Sequence, residues 1–405
     1  MSRSVAAFAA GAATLALVVA LSVLTWGPLS SFRARAGGGV SGSGAHTVVA
    51  LLACAFGLYL VALALLRHAA VRVGAVLALA AAIQLAPLAA PLLASTDAWT
   101  YWDYGRLAAV HHRNPYADRP AAASDDPAFR AMGARWRHQT SVYGPAFTLV
   151  SEPLSRAAGG SRTAAAWEFK ILAGLAIVVA TGLAAWIAKR RALAAAFVGW
   201  NPVLAAHLAG GGHNDAWLGA LTLAALALAV ARRWNIAGAT WVLAIAVKWV
   251  PIVFLGLHLL ERRARRRPLG VLGLVSAAAG VAALASWRYG WRWLGAVAPL
   301  ARNAHLETRY SVPHRLQALG LPRDAALALA ATLLVVGLLW LARGAAHGHA
   351  RLALAACLLL VTTPYLAVWY LGWAVPLAAA DDDDQLARIG TLALSAYLLP
   401  QTIPL

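Results

Sequence analysis

Runs of about twenty apolar residues recur along most of this 405-residue chain, and nothing else in it constrains the fold so strongly. A helix of that length crosses a bilayer, because each residue rises about 1.5 Å and the hydrocarbon layer is about 30 Å thick. The runs are continuous Ala/Leu/Val, without the short alternating segments of a membrane β-barrel. Charged residues make up only 12% of the chain, too few for the surface of an ordinary soluble protein of this size. The chain therefore reads as an all-α, polytopic integral membrane protein with about thirteen transmembrane helices.

The expected spans are 5–26, 47–66, 73–95, 168–187, 192–208, 214–231, 235–247, 249–260, 269–287, 323–342, 351–366, 368–380 and 387–402. The first is too long for the core of a signal peptide and reads as a membrane helix. Residues 235–260 lie between Arg232-Arg233 and the cluster from Glu261 to Arg267. If both clusters are on one side, the chain enters and returns as two short helices with Lys248 at the apex. A single tilted helix with one cluster on the other side is the alternative.

The net charge is +19. In a soluble chain this would suggest nucleic acid, but no polar domain is present to hold it, and nucleic acid is not an expected partner. Basic loops lying against the headgroups of a lipid bilayer account for the charge. Arg67/Arg72, Lys189–Arg191, Arg232/Arg233, Arg262–Arg267 and Arg343/Arg351 all fall on one side, which the positive-inside rule makes cytoplasmic. Residues 27–46, 96–167 and 288–322 are then outside, and the chain is one plasma-membrane domain, 1–405, without a separate soluble domain. The outer segments 96–167 and 288–322 are rich in Trp and Tyr, which suits an interfacial layer capping the membrane helices. Both cysteines, Cys54 and Cys357, sit inside apolar segments and imply neither disulfide nor metal site.

Five polar groupings stand out against this background. Asp97 and Asp103 follow the third apolar segment, in the company of Tyr101, Trp102 and Tyr104. An acid at a membrane boundary is costly and usually has a task. Six positions apart on a helix, the two face different ways, so one carboxylate suits chemistry and the other a structural pairing, with Arg106 as a candidate partner. Simple helix capping by Asp97 is the competing reading. His213, Asn214 and Asp215 follow three glycines; a cap alone would need one of them, and the surplus points to hydrogen bonding with a substrate. Lys248 sits within an apolar run, either reaching a lipid phosphate or snorkelling without a specific partner. Arg302, Arg309 and Arg315, with His305 and His314, make a cationic outer segment whose guanidinium forks suit phosphate oxygens, with headgroup binding as the bland competitor. Trp369 and Tyr370 lie in a stretch broken by Pro364 and Gly372, where they could wall a sugar or prenyl site or belong to an aromatic belt. The run Asp381–Asp384 falls on the cytoplasmic side and reads as a solvated turn.

Taken in order, Asp97, Tyr101, Trp102-Asp103-Tyr104-Gly105, Asn114-Pro115-Tyr116, Gly212–Asp215, Ala246–Pro251 and Trp369–Trp373 resemble the pattern of GT-C class glycosyltransferases that use polyprenyl-phosphate sugars. The pattern is most similar to the actinobacterial α-(1→6)-mannosyltransferases that elongate the mannan core of lipomannan. The resemblance spans roughly residues 95–380 and implies a GT-C-like fold with Asp97 as the catalytic base. It implies inverting transfer of a sugar, mannose above others, from a polyprenyl-phosphate donor to a glycan or glycolipid hydroxyl on the extracytoplasmic face. Lys248, Arg302, Arg309 and Arg315 would hold the donor phosphate. Asp103, Tyr101, His213, Asn214, Asp215, Trp369 and Tyr370 would line the sugar and acceptor site. No cofactor is expected; a divalent cation could be accommodated but is not required, because a lipid monophosphate leaving group can be handled by Lys and Arg. A transporter or flippase of a phosphorylated polyprenyl lipid is the rival from another class. It would need polar groups along the route across the membrane, whereas these concentrate on one face.

Overall fold

Continuous apolar runs in lipid satisfy their backbone internally, so helices are the only open-ended solution. In a computed structural model of the chain, residues 2–27, 30–39, 42–296 and 306–404 are described, and no strand occurs among them. The N-terminal pair, α1 (Arg3–Leu24) and α2 (Ala45–Leu66), lies side by side. Next come α3 (Val73–Leu85), then α4 (Asp97–Ala109), α5 (Pro127–Ala131) and α6 (Pro145–Ala158). The long α7 (Arg162–Ile187) leads to α8 (Arg191–Gly199) and α9 (Pro202–Leu204), which continues as a π-helical turn, Ala205–Ala209. The middle of the chain forms α10 (Asp215–Val230), α11 (Trp234–Val247), α12 (Pro251–Ala264) and α13 (Val271–Tyr289). The C-terminal part comprises α14 (Val312–Ala318), α15 (Arg323–Ala346), α16 (Leu352–Thr362), α17 (Leu371–Ala380) and α18 (Gln385–Leu398).

The protein is a polytopic membrane protein. By length and composition, 5 helices among the described residues can cross a bilayer unaided: α1, α2, α7, α13 with its 3-10 extension to Ala296, and α15. The bent pair of α8 with Pro202–Ala209 makes a sixth. The remaining expected spans are helical but shorter, so thirteen full crossings are not established by helix length. The faces follow the same physics. Only 11% of the apolar window of α13 and 17% of that of α15 is buried, leaving Leu339 and Trp287 facing outward. In contrast, α7 buries Ala173, Gly174, Ala180 and Ala184, small residues on the side where α8 and α10 pack.

The expected span 73–95 stops as a helix at Leu85, because Pro87 and Pro91 turn the chain aside. The carbonyls freed there are collected by Lys170 of α7, whose fully buried Nζ donates to Pro87 O at 2.8 Å and also to Ala90 O. A lone lysine inside an apolar helix is thus answered by broken backbone instead of by an acid. Residues 235–260 form two helices interrupted at Lys248–Val250, with Pro251 opening the second.

Residues 96–167 are mostly helical and packed. Asp103 does not pair with Arg106: that guanidinium forks onto Asp126, with Nε 2.8 Å from Oδ1 and Nη2 2.9 Å from Oδ2. His111 Nε2 lies 2.6 Å from the same carboxylate. Burial alone would push Asp126 up, but Arg106, His111 and the Ala128 N–H together hold it below its ordinary range. A second tie joins α6 to α13, where Glu152 accepts from Arg288 at 2.8 Å and from the Tyr289 hydroxyl at 2.6 Å. The Asp381–Asp384 turn is spent on structure, with Asp383 on Lys189 at 2.9 Å and Asp384 on Arg351 at 2.6 Å.

Candidate active site

Three interruptions of helical structure meet at one cavity of about 250 Å³. The first precedes α4. Leu93 N–H donates to Gly210 O at 3.0 Å and Ala94 N–H to Phe32 O at 2.7 Å, while Ala94 takes a left-handed conformation (φ +60°). This pinned, sharply turned backbone fixes where α4 starts, and Asp97 is its first residue, with Thr96 in the cap position. Asp97 is therefore not the cap. Its carboxylate opens on the cavity, with 16% of the side chain exposed.

The second interruption is the glycine turn. Gly212 adopts φ +68°, where a side chain would be strained, and it delivers His213, Asn214 and Asp215 as a fully buried cluster. His213 Nδ1 sits 2.6 Å from His207 O, which fixes that nitrogen as the proton donor. The other ring nitrogen, Nε2, faces Asp97 Oδ2 at 3.6 Å. The ring stacks on Trp369, with centroids 4.0 Å apart and planes at 12°. Burial pushes His213 down to about 3, so the imidazole is neutral. Asn214 Oδ1 stands 3.5 Å from the Tyr101 hydroxyl, a long contact.

The third interruption separates α11 from α12. Here Lys248 is extended, and the carbonyl of Val247 accepts the Gly144 N–H at 3.0 Å. A Cβ on Gly144 would meet Ala246 O at 2.1 Å, so this close approach requires glycine. Lys248 Nζ donates to Asp215 Oδ1 at 2.7 Å and lies 4.8 Å from the Tyr370 ring centroid. Asp215 Oδ1 also accepts Trp373 Nε1 at 2.5 Å. Tyr370 stacks on Trp373 at 4.2 Å, which completes an aromatic shelf under the ammonium.

Asp97 is shifted by this company. Burial, the largest cause, pushes its carboxyl up; Lys248 and Ser95 pull it down and Asp215 pushes it up again, leaving it at about 6. The carboxyl is thus mostly ionised at neutral pH yet basic enough to take a proton.

The family follows from the sequence that builds this cavity. Residues 8–261 match the family model described as alpha-(1->6)-mannopyranosyltransferase, N-terminal domain. The chain belongs to the alpha-(1->6)-mannopyranosyltransferase family. Residues 142–394 also match glycosyltransferase family 87. The alpha-(1->6)-mannopyranosyltransferase A of Mycobacterium tuberculosis is 32% identical over 235 residues, covering 52% of this chain and 44% of the relative. That of Corynebacterium glutamicum is 26% identical over 180 residues, covering 42% and 36%. The chain thus matches less than half the length of these curated relatives. No solved structure matches it.

Within this family member, the other residues singled out from the sequence divide by position. Trp369, Tyr370, Tyr101, Lys248 and Asp97 line the cavity, and His213 and Asp215 stand directly behind its wall. Asp103 is buried away from the cavity, pushed up to about 8 by burial first and by the Asp126 charge second, so it is largely protonated at neutral pH. Arg309 is exposed next to Thr308, which binds the cavity wall through its N–H to Pro364 O at 3.0 Å. Arg315 lies over Tyr310 at 4.9 Å and donates to the Tyr397 hydroxyl at 3.2 Å, outside the cavity lining. Arg302 and His305 lie outside the described residues.

The sequence reading passed over Tyr143, Tyr365, Trp136 and Trp249, all of which line the cavity. Tyr143 and Phe147 meet the Tyr101 ring edge-on at 5.0 and 4.9 Å, which fixes that ring in the cavity wall. Trp136 and Tyr143 showed only in the aromatic density of 96–167, while Trp249 lies in the Ala246–Pro251 segment and Tyr365 next to Pro364. No group of three or more metal-ligating side chains converges among the described residues.

Proposed function

We propose that the protein is a membrane mannosyltransferase that uses a polyprenyl-phosphate mannose donor and works at an outer-face cavity capped by residues 96–167 and 288–322. The observation that carries the reading is the half-buried Asp97 carboxylate, open to an aromatic-walled cavity and set opposite a neutral histidine. Family membership supports mannose as the sugar.

The acceptor hydroxyl enters above Asp97. Its oxygen forms a bond to the anomeric carbon as its proton passes to the Asp97 carboxylate. The bond from the anomeric carbon to the phosphate oxygen breaks, and its electron pair leaves with the lipid phosphate. Attack opposite the leaving group inverts the anomeric centre. Lys248, held by Asp215, places positive charge beside the forming phosphate dianion, and Arg309 stands near one wall to add to it. Tyr101, Trp369 and Tyr370 offer faces and edges to the sugars. Asp103, sealed off from the cavity, has the structural part.

The reading is tested by transfer from mannosyl phosphoryl polyprenol to a short α-mannoside in nanodiscs. Wild type should transfer, and Asp97→Asn should lose at least about a hundredfold in rate with donor binding kept. Equal transfer by both would move the base elsewhere.

A further inference from the structure

A second cavity, of about 210 Å³, lies at the other ends of the helices that frame the first. The first cavity takes residues near the start of α12 and α17 and the end of α16, and abuts Asp215 at the start of α10; the second takes their opposite ends. Along the 14 residues of α12 the separation is roughly 20 Å, so the two cavities occupy opposite faces of the membrane domain.

Its charged lining is uneven in availability. Glu261 is ion-paired with Arg265, whose Nε lies 3.4 Å away and donates its N–H to Gly348 O at 2.7 Å. Asp381 is taken by the N–H groups of Asp383 and Asp384. His258 is buried with Nδ1 4.0 Å from Glu261. Arg262 is different. It is 5% exposed, its Nε donates to Pro268 O at 2.6 Å, and its guanidinium lies 4.4 Å from the Trp234 ring centroid. Thus held, Arg262 lines the cavity and keeps a buried Nη2 with no hydrogen-bond partner among the described residues. A buried guanidinium N–H without an acceptor is costly, and a phosphate oxygen is the acceptor it fits best. Arg267 lines the same cavity and is exposed. The opposite wall is apolar: Leu226, Leu352 and Leu377.

We propose that this cavity is a second anion site, separate from the transfer site, which receives the phosphate group of a membrane amphiphile. The guanidinium groups of Arg262 and Arg267 take the phosphate, and the amphiphile's chain runs along the leucines. Arg262, Arg265 and Arg267 outnumber Glu261 and Asp381 in the lining, so an anionic headgroup is favoured over a zwitterionic one.

The test is native mass spectrometry of the full chain released from detergent with dioleoyl phosphatidic acid, with dioleoyl phosphatidylcholine, and with inorganic phosphate as competitor. Wild type should retain phosphatidic acid over phosphatidylcholine. Arg262→Gln and, separately, Arg267→Gln should each weaken that retention by about tenfold or more, the loss of a charge-assisted contact. Arg267 is exposed, so its variant keeps the test open if Arg262→Gln fails to fold. Arg262→Lys, which keeps the charge but not the fork, should recover retention only in part. Displacement of the lipid by millimolar phosphate would assign the site to the phosphate group alone; resistance to it would show that the chain contributes. Equal retention of phosphatidic acid by wild type and both glutamine variants would overturn the proposal.

Discussion

Lys248→Met and Asp215→Asn both break the same ion pair, but the structure makes their consequences differ in size and in sign. Asp215 is fully buried and loses a 2.7 Å contact in Lys248→Met, keeping only the Trp373 N–H. Stranding a buried carboxylate costs about 3–5 kcal/mol. In Asp215→Asn the amide oxygen can still accept from Trp373, and Lys248, 15% exposed, can turn toward water in the cavity. That loss should be about 1–2 kcal/mol. With Asp97 as the proposed base, the effect on transfer runs through its carboxyl, which burial and Asp215 raise and Lys248 lowers, leaving it at about 6. A base must be ionised to act, so kcat/KM for transfer should climb with pH through about 6 and level off above it. Removing the lysine should move this acid limb up by on the order of one pH unit, and removing the Asp215 charge should move it down. The assay is the pH profile of kcat/KM for sugar transfer, paired with thermal unfolding in detergent. A shift of both variants in one direction, or a Lys248→Met protein as stable as Asp215→Asn, would refute the electrostatic account.

Gly144→Ala puts a Cβ 2.1 Å from Ala246 O and should cost about 2–3 kcal/mol in thermal unfolding while weakening transfer, since the same contact holds the Lys248 break. Asp126→Asn should destabilise by about 2–4 kcal/mol, because it removes a forked, buried partner of Arg106. Asp126 is held below its ordinary range, so its contribution is fully present above the usual carboxylate pKa, near 3.8, and is lost as pH falls through its own lower value; an acid titration of unfolding should show that loss in wild type and not in Asp126→Asn. His213→Gln removes the ring that stacks on Trp369 at 4.0 Å, and should raise KM for the acceptor more than it raises that for the lipid donor.

The helical membrane character was legible because it rests on composition summed over long windows, which no single contact can overturn. The break at Lys248 was legible for a similar reason: two basic clusters flank an apolar stretch too short for two full crossings. Pairings were not legible. Asp215 and Lys248 were both singled out, but for different ligands, since nothing local shows that residues 33 positions apart share an oxygen. Lys170 was hidden inside an expected span, and only the fold shows that three carbonyls from the Pro87–Pro91 turn surround it. Arg106 found Asp126, 20 positions away, in preference to Asp103 on its own helix. Helical spacing makes a pair possible, and tertiary packing decides it.

That the polar chemistry gathers where helices stop has a physical reason. Inside lipid an intact helix leaves no backbone group free, so it offers nothing for a charged side chain to bind. Each interruption at the cavity frees backbone donors and acceptors, and the protein ties them to another interruption. Leu93 before α4 binds Gly210 in the glycine turn, and Val247 before α12 binds Gly144 before α6. These backbone cross-ties bring Asp97, Asp215 and Lys248 together, and the Lys248–Asp215 ion pair adds to them. Among the described residues no cation is fixed on the Asp97 carboxylate by a hydrogen bond, and the backbone determines its place. That leaves it open to take a proton, as the proposed base must.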